Sequence, residues 1–163
     1  MGTMALGAEI APRDLEAAVH TLGFLDTLQK QSSIHVGVVY RSGDQDAKAL
    51  AQRTVGILAR LKGPGGSSID AIPLAAGDLS SLTQRLDVLY VLPGIADGAR
   101  LVSDFAKRQR VVSISNDPAC LNSECCVLMV RTGSNVDIVL DTSMAQATGT
   151  KFSAVFTMMV KRK

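Results

Sequence analysis

Residues 87–115 read DVLYVLPGIADGARLVSDFAKRQRVVSIS, and this stretch decides the fold. DVLYVLPG (87–94) is the most apolar run of the chain, as a strand covered on both faces must be. IADGARLVSDFAKRQR (95–110) follows with its acids early and its bases late, the order that a helix macrodipole favours. VVSIS (111–115) is then a second short β-branched run. Strand, helix and strand in that order make a parallel β-α-β unit with a right-handed crossover.

The same alternation extends upstream. IHVGVVY (34–40) predicts a buried strand closed by the turn residues RSGD. Residues 45–61 return to helical spacing through Leu50, Val55, Leu58 and Leu61, and KGPGGSS (62–68) breaks the chain. IDAIPL (69–74) is a second strand, with Pro73 pointing to an edge position, and a short helix is expected over 79–85. A first helix starts at Pro12, with Asp14 and Glu16 in its opening turns and an apolar stripe through Leu15, Val19, Leu22, Leu25 and Leu28. Downstream the pattern changes: CCVLMV, the turn RTGSN and VDIVLD predict an antiparallel hairpin. A short helix over 142–148 and a closing helix from Ser153 follow. The expectation is one three-layer α/β domain over residues 12–163, its sheet mostly parallel with a C-terminal antiparallel hairpin. Residues 1–11 read as a disordered or appended leader.

At 163 residues the chain is one domain by length, and 47% apolar with 20% charged residues is ordinary for a globular protein. A net charge of +2, with no basic stripe interleaved with aromatics, argues against a nucleic-acid partner. Lys161-Arg162-Lys163 reads as a solvated tail. No run approaches the roughly 18 apolar residues of a spanning helix. The first residues lack the pattern of a signal peptide, which fits a cytoplasmic protein or an exported one whose signal has been removed.

Few residues offer chemistry. KGPGGSS follows a helix and lacks the Lys-Ser/Thr ending of a phosphate loop, and VVYRSGD has one glycine where a dinucleotide site needs three. His20 and His35 have no nucleophile motif beside them and read as structural. No metal or cofactor is expected, and the chain reads as a non-enzyme. In open α/β sheets, ligands bind beyond the carboxyl ends of the strands. Three such ends are small or polar loops: Tyr40-Arg41-Ser42-Gly43, Pro93-Gly94 and Ser115-Asn116-Asp117. All three cysteines, Cys120, Cys125 and Cys126, fall in NDPACLNSECCVLM (116–129). Their spacing gives neither paired zinc ligands nor a C-x-x-C redox centre. A local disulfide involving Cys120 and three buried reduced thiols remain as readings. With Cys120 placed in a loop and the other two on a strand, side-chain alternation does not choose between Cys125 and Cys126.

The C-terminal half resembles the YfiR-like family of small bacterial periplasmic proteins. The resemblance is carried by Asp87-Val88-Leu89-Tyr90-Val91, Val112-Ser113-Ile114-Ser115, Val136-Asp137-Ile138-Val139-Leu140 and Gly149-Thr150-Lys151-Phe152-Ser153. Where that family often has GGM before the hairpin, this chain has ECC. A cysteine pair flanking this loop is common in the family, so the resemblance implies a disulfide at Cys120. It also implies a non-enzymatic periplasmic regulator that holds an inner-membrane diguanylate cyclase inactive through the cyclase's periplasmic domain, with the regulator itself a homo-oligomer. The alternative expectation is a single-lobe solute-binding module similar to half of a transporter's binding protein.

Overall fold

The computed structural model describes residues 10–163. Most of the expected leader, residues 1–9, lies outside the described residues, and Ile10 is buried against the core. The elements are α1 (Pro12–Thr21), β1 (Ser33–Tyr40), α2 (Gln45–Leu58), β2 (Ser68–Ala75), β3 (Val88–Val91), α3 (Ala99–Gln109) and β4 (Val112–Ser115). After them come α4 (Ala119–Asn122), β5 (Leu128–Thr132), β6 (Val136–Leu140), α5 (Thr142–Thr148), α6 (Ala154–Met159) and β7 (Lys161–Arg162). One seven-stranded sheet runs in the order β2-β1-β3-β4-β5-β6-β7. The first five of these are mutually parallel, β6 is antiparallel to β5, and β7 is parallel to β6. This is the α/β architecture with a C-terminal hairpin that the alternating pattern predicts. Pro73 lies on β2, an edge strand, where a missing N–H costs no ladder bond.

Each face of the sheet carries its own core. On one face Val36, Val38, Tyr90 and Ile114 pack against Leu15 and Val19 of α1 and Leu50 and Leu58 of α2. On the other, Val39, Leu89, Val91 and Met129 pack against Val102 and Phe105 of α3 and against the cysteine loop. Gly37 sits in the centre of β1 because that second face is crowded. A Cβ there would lie 2.8 Å from Leu86 Cδ1 and 3.3 Å from side-chain atoms of Leu74 and Leu89.

Three local expectations are corrected. The first helix stops at Thr21, and the rest of its apolar stripe is carried by two 3₁₀ turns, Leu22–Phe24 and Asp26–Leu28. Leu25 between them is extended and bridges to Phe152, so tertiary pairing overrides continuation of the helix. The expected helix at 79–85 is instead a 3₁₀ segment, Ala76–Ser81. Its Gly77, Asp78 and serines are poor helix formers, and the Gly77 N–H donates to Ser42 Oγ at 2.8 Å. The basic C-terminus is not a free tail. Lys161 and Arg162 form β7 on β6, the Lys163 N–H donates to the Leu140 carbonyl at 2.8 Å, and Lys163 Nζ lies 3.5 Å from Asp141. The outer backbone groups of β6 supply the partners that draw the chain end in.

Candidate functional site

The strand-end loops come first, because the sequence singles them out. Their polar groups are largely consumed by their neighbours. Arg41 pairs with Asp97 at 3.0 Å across to the segment that follows Pro93-Gly94. Ser42 accepts from Gly77, and Gly43 turns the chain with φ 79°. Gly94 is likewise left-handed, with φ 81°. Ser115 Oγ donates to the Val91 carbonyl at 2.7 Å and accepts from the Asp117 N–H at 3.1 Å. Tyr40 packs against the α1-side core. The loops therefore gather at one end of the sheet.

Asn116 leads to a feature that periodicity could not reveal. Its Nδ2 donates at 3.0 Å to Asp14, whose other carboxylate oxygen accepts the Thr132 N–H at 2.7 Å and the Thr132 hydroxyl at 2.6 Å. Asp14 is only 5% exposed. One buried carboxylate thus ties the first turn of α1 to the ends of β4 and β5, more than a hundred residues away in sequence. Nearby, the Tyr90 hydroxyl and Asn116 Oδ1 are buried without a hydrogen-bond partner. Burial, reinforced by the charge of Asp14, pushes the Tyr90 phenol well above its ordinary range and keeps it neutral.

Cys120 and Cys125 form a disulfide with Cα atoms 5.2 Å apart, and Cys126 is a buried free thiol. The sequence places Cys120 in a loop and Cys125-Cys126 on a strand, and neither holds. Cys120 lies on the short helix α4, and β5 begins only at Leu128. The choice of Cys125 follows from local winding: its N–H donates to the Cys120 carbonyl at 3.0 Å, closing one tight loop. Glu124, with φ 56°, makes the turn that brings it there. Burial first, then the carboxylates of Asp141 and Asp117, pushes the Cys126 thiol above the ordinary cysteine range and favours its protonated form. Among the described residues no group of three His, Cys, Asp or Glu side chains could hold a metal ion.

Ser33 Oγ donates to Asp70 at 2.6 Å, and neither His20 nor His35 is hydrogen-bonded to a nucleophile among the described residues. His35 Nδ1 lies 3.9 Å from Asp70 on the exposed β1–β2 surface. His20 stands edge-on to Phe24, with ring centroids 5.9 Å apart.

His20 borders a groove of about 780 Å³ between α1, the β5–β6 turn and α6. Phe24 stacks on Phe156, and Phe156 on Phe152, each pair with centroids 4.8 Å apart. Three of the chain's four phenylalanines therefore stand together beneath this face. Above them the surface stays apolar. Val136 is 58% exposed, Val155 63%, Met158 82% and Met159 67%. Positions 155, 158 and 159 are spaced i, i+3, i+4 and share one face of α6, while Phe156 fills the core beneath. Arg131 and Lys161 border the groove, and Lys161 pairs with Asp137 at 2.9 Å. Val136 and Met159 line the groove together, and exposed apolar side chains beside charged ones are what protein-docking sites present. The sequence carried a signal for it: FSAVFTMMV (152–160) is apolar except for Ser153 and Thr157, more than a six-residue helix at the sheet margin can bury on one side.

Comparison with known proteins finds no matching family model and no matching curated protein. Solved structures do match. A conserved domain protein from Vibrio cholerae superposes with a TM-score of 0.64 at 14% identity, over 95% of this chain and 61% of that one. An ABC domain from Streptococcus pneumonia in complex with L-Trp gives 0.61 at 11% identity, over 88% and 58%. The ligand-free, open structure of CD0873, a substrate-binding protein with adhesive properties from Clostridium difficile, gives 0.62 at 13% identity, over 88% and 58%. The chain thus spans about three-fifths of the length of these structures. At these identities the likeness is one of fold, and it places the domain among three-layer α/β folds.

Proposed function

We propose that this domain is a non-enzymatic, extracytoplasmic regulator that works by docking on a membrane signalling protein through the apolar face of α6 and the groove beside it. The observation that carries the reading is the exposed set Val136, Val155, Met158 and Met159. Fully burying the last three against a partner is worth on the order of 5 kcal/mol before the costs of association. Methionine adapts to partner surfaces better than branched residues do, which suits a docking face. The Cys120–Cys125 disulfide supports an oxidising compartment. The resemblance to YfiR-like proteins makes the partner the periplasmic domain of an inner-membrane diguanylate cyclase, held inactive by sequestration, with the regulator acting as a homo-oligomer.

The test is calorimetric titration of the purified protein onto the purified periplasmic domain of a diguanylate cyclase encoded beside it, with cyclic-di-GMP measured in cells that co-express both. Binding is expected, with a loss on the order of a hundredfold in the Met158→Glu, Met159→Glu double variant. Absence of binding by the parent protein would sink the cyclase reading.

A second reading is favoured by one specific finding, the fold likeness to substrate-binding proteins over 88% of the chain. It makes the domain a solute-binding module with its ligand at the strand-end loops. A small molecule retained through native mass spectrometry would favour it over the first.

A further inference from the structure

The docking face carries an unusual pair of sulfur atoms. Of the methionines described, Met129 and Met144 are each 2% exposed, whereas Met158 and Met159 are 82% and 67% exposed and adjacent in sequence. The remaining sulfur among the described residues is equally shielded. Cys120 and Cys125 are already oxidised to a disulfide, and Cys126 is a buried thiol. An oxidant that reaches the folded protein therefore meets, among the described residues, two accessible thioethers and little other reactive sulfur. Both belong to the apolar surface whose polarity decides docking.

We infer that Met158 and Met159 are an oxidant-responsive modification site, at which peroxide-class oxidants convert the docking face from apolar to polar. The thioether sulfur attacks the distal peroxide oxygen with a lone pair. A sulfur–oxygen bond forms, the oxygen–oxygen bond breaks, and the departing hydroxide takes up a proton to leave as water. Sulfur is oxidised by two electrons and the peroxide is reduced by two. A thiol-dependent sulfoxide reductase reverses the step, taking two electrons from its thiols and releasing the oxygen as water. The sulfoxide is a strong hydrogen-bond acceptor, so burying it against an apolar partner leaves it unsatisfied. Oxidation thus releases whatever that face holds. α6 is suited to this, since its fold rests on Phe156 and on Ser153, whose hydroxyl accepts the Phe156 N–H at 3.4 Å, rather than on either methionine.

The regulatory consequence rests on the docking reading above; the selectivity of oxidation does not. Hydrogen peroxide is titrated against the intact chain, methionine oxidation is followed by peptide mass spectrometry, and the apolar face is probed with bis-ANS fluorescence. Met158 and Met159 are expected to oxidise on the order of tenfold or more faster than Met129 and Met144. Bis-ANS fluorescence falls as they do, while far-ultraviolet circular dichroism stays constant. In a Met158→Leu, Met159→Leu variant, peroxide leaves the bis-ANS signal at the value it had before treatment, whatever that value is. Equal oxidation of all four methionines, or undiminished bis-ANS binding by the oxidised parent, overturns the inference whether or not a cyclase binds. Selective oxidation with no cyclase bound leaves the site standing and removes only that partner.

Discussion

Replacing Asp14 gives the sharpest test of how this fold is held. The carboxylate accepts three hydrogen bonds, from the Thr132 N–H, the Thr132 hydroxyl and Asn116 Nδ2, at 2.6–3.0 Å and nearly out of solvent. Hydrogen bonds to a charged acceptor are worth about 1.5–3 kcal/mol each, and they do not add when they share one group. Asp14→Ala removes all three and strands a main-chain donor, so the expected loss is about 3–4 kcal/mol. Asp14→Asn keeps an oxygen for Thr132, and a flip of the Asn116 amide turns its unpartnered Oδ1 to the new NH₂, so what is lost is the charge that strengthens the bonds from Thr132. Its expected loss is about 2 kcal/mol. The assay is urea unfolding. At a slope of about 2 kcal/mol per molar, the midpoints should fall by roughly 1.5–2 M and 1 M, with the slopes unchanged. If both variants unfold within about 0.5 kcal/mol of the parent, Asp14 does not bind α1 to the strand ends, and the account of that corner is wrong.

The other expectations concern the cysteines and the sheet centre. Alkylation of native protein should label no cysteine, denaturation without reductant should expose Cys126 alone, and reduction should add Cys120 and Cys125. A Cys125→Ser variant should lose about 2 kcal/mol, the chain-entropy value for so small a loop, measured by the shift in urea midpoint. Because burial raises the Cys126 pKa in the folded state, its contribution is complete below the unfolded thiol's value of about 8.5 and is lost as pH rises beyond it. Unfolding free energies from urea titrations at neutral and alkaline pH should therefore fall by up to about 1.4 kcal/mol per pH unit above that point, and less steeply in Cys126→Ala. Gly37→Ala should cost about 1–3 kcal/mol through its clash with Leu86, and a second change, Leu86→Val, should recover part of it by calorimetry.

Much of the architecture was legible because burial imposes periodicity. Strands covered on both faces, such as those at Val36–Val39 and Val88–Val91, have to be continuously apolar, and the helices between them have to be amphipathic. The hairpin was readable for the same reason, with RTGSN as its turn. What stayed hidden is what depends on distance in space. Asp14 reads as a helix-dipole residue until Thr132 is seen beside it. Leu22, Leu25 and Leu28 keep a helical spacing although the backbone there is 3₁₀ and extended, because side-chain burial alone does not fix the winding. The cysteine pairing turned on Cys125 lying in a tight turn before the strand, a boundary that patterning does not resolve. The exposed apolar side of α6 was legible only as an excess, more apolar surface in FSAVFTMMV than a short helix can bury.

The short cationic β7 has a consequence for how copies of this protein can associate. At one margin of the sheet it occupies the outer side of Val139 and Leu140, with Lys161 and Arg162 facing outward. At the opposite margin β2 carries Pro73, which offers no N–H to an incoming strand. Lysine and proline at sheet margins are the devices by which natural proteins refuse end-on polymerisation. Each margin of this sheet thus carries a device that disfavours edge-to-edge pairing, and helix faces are the easier route for an assembly of copies.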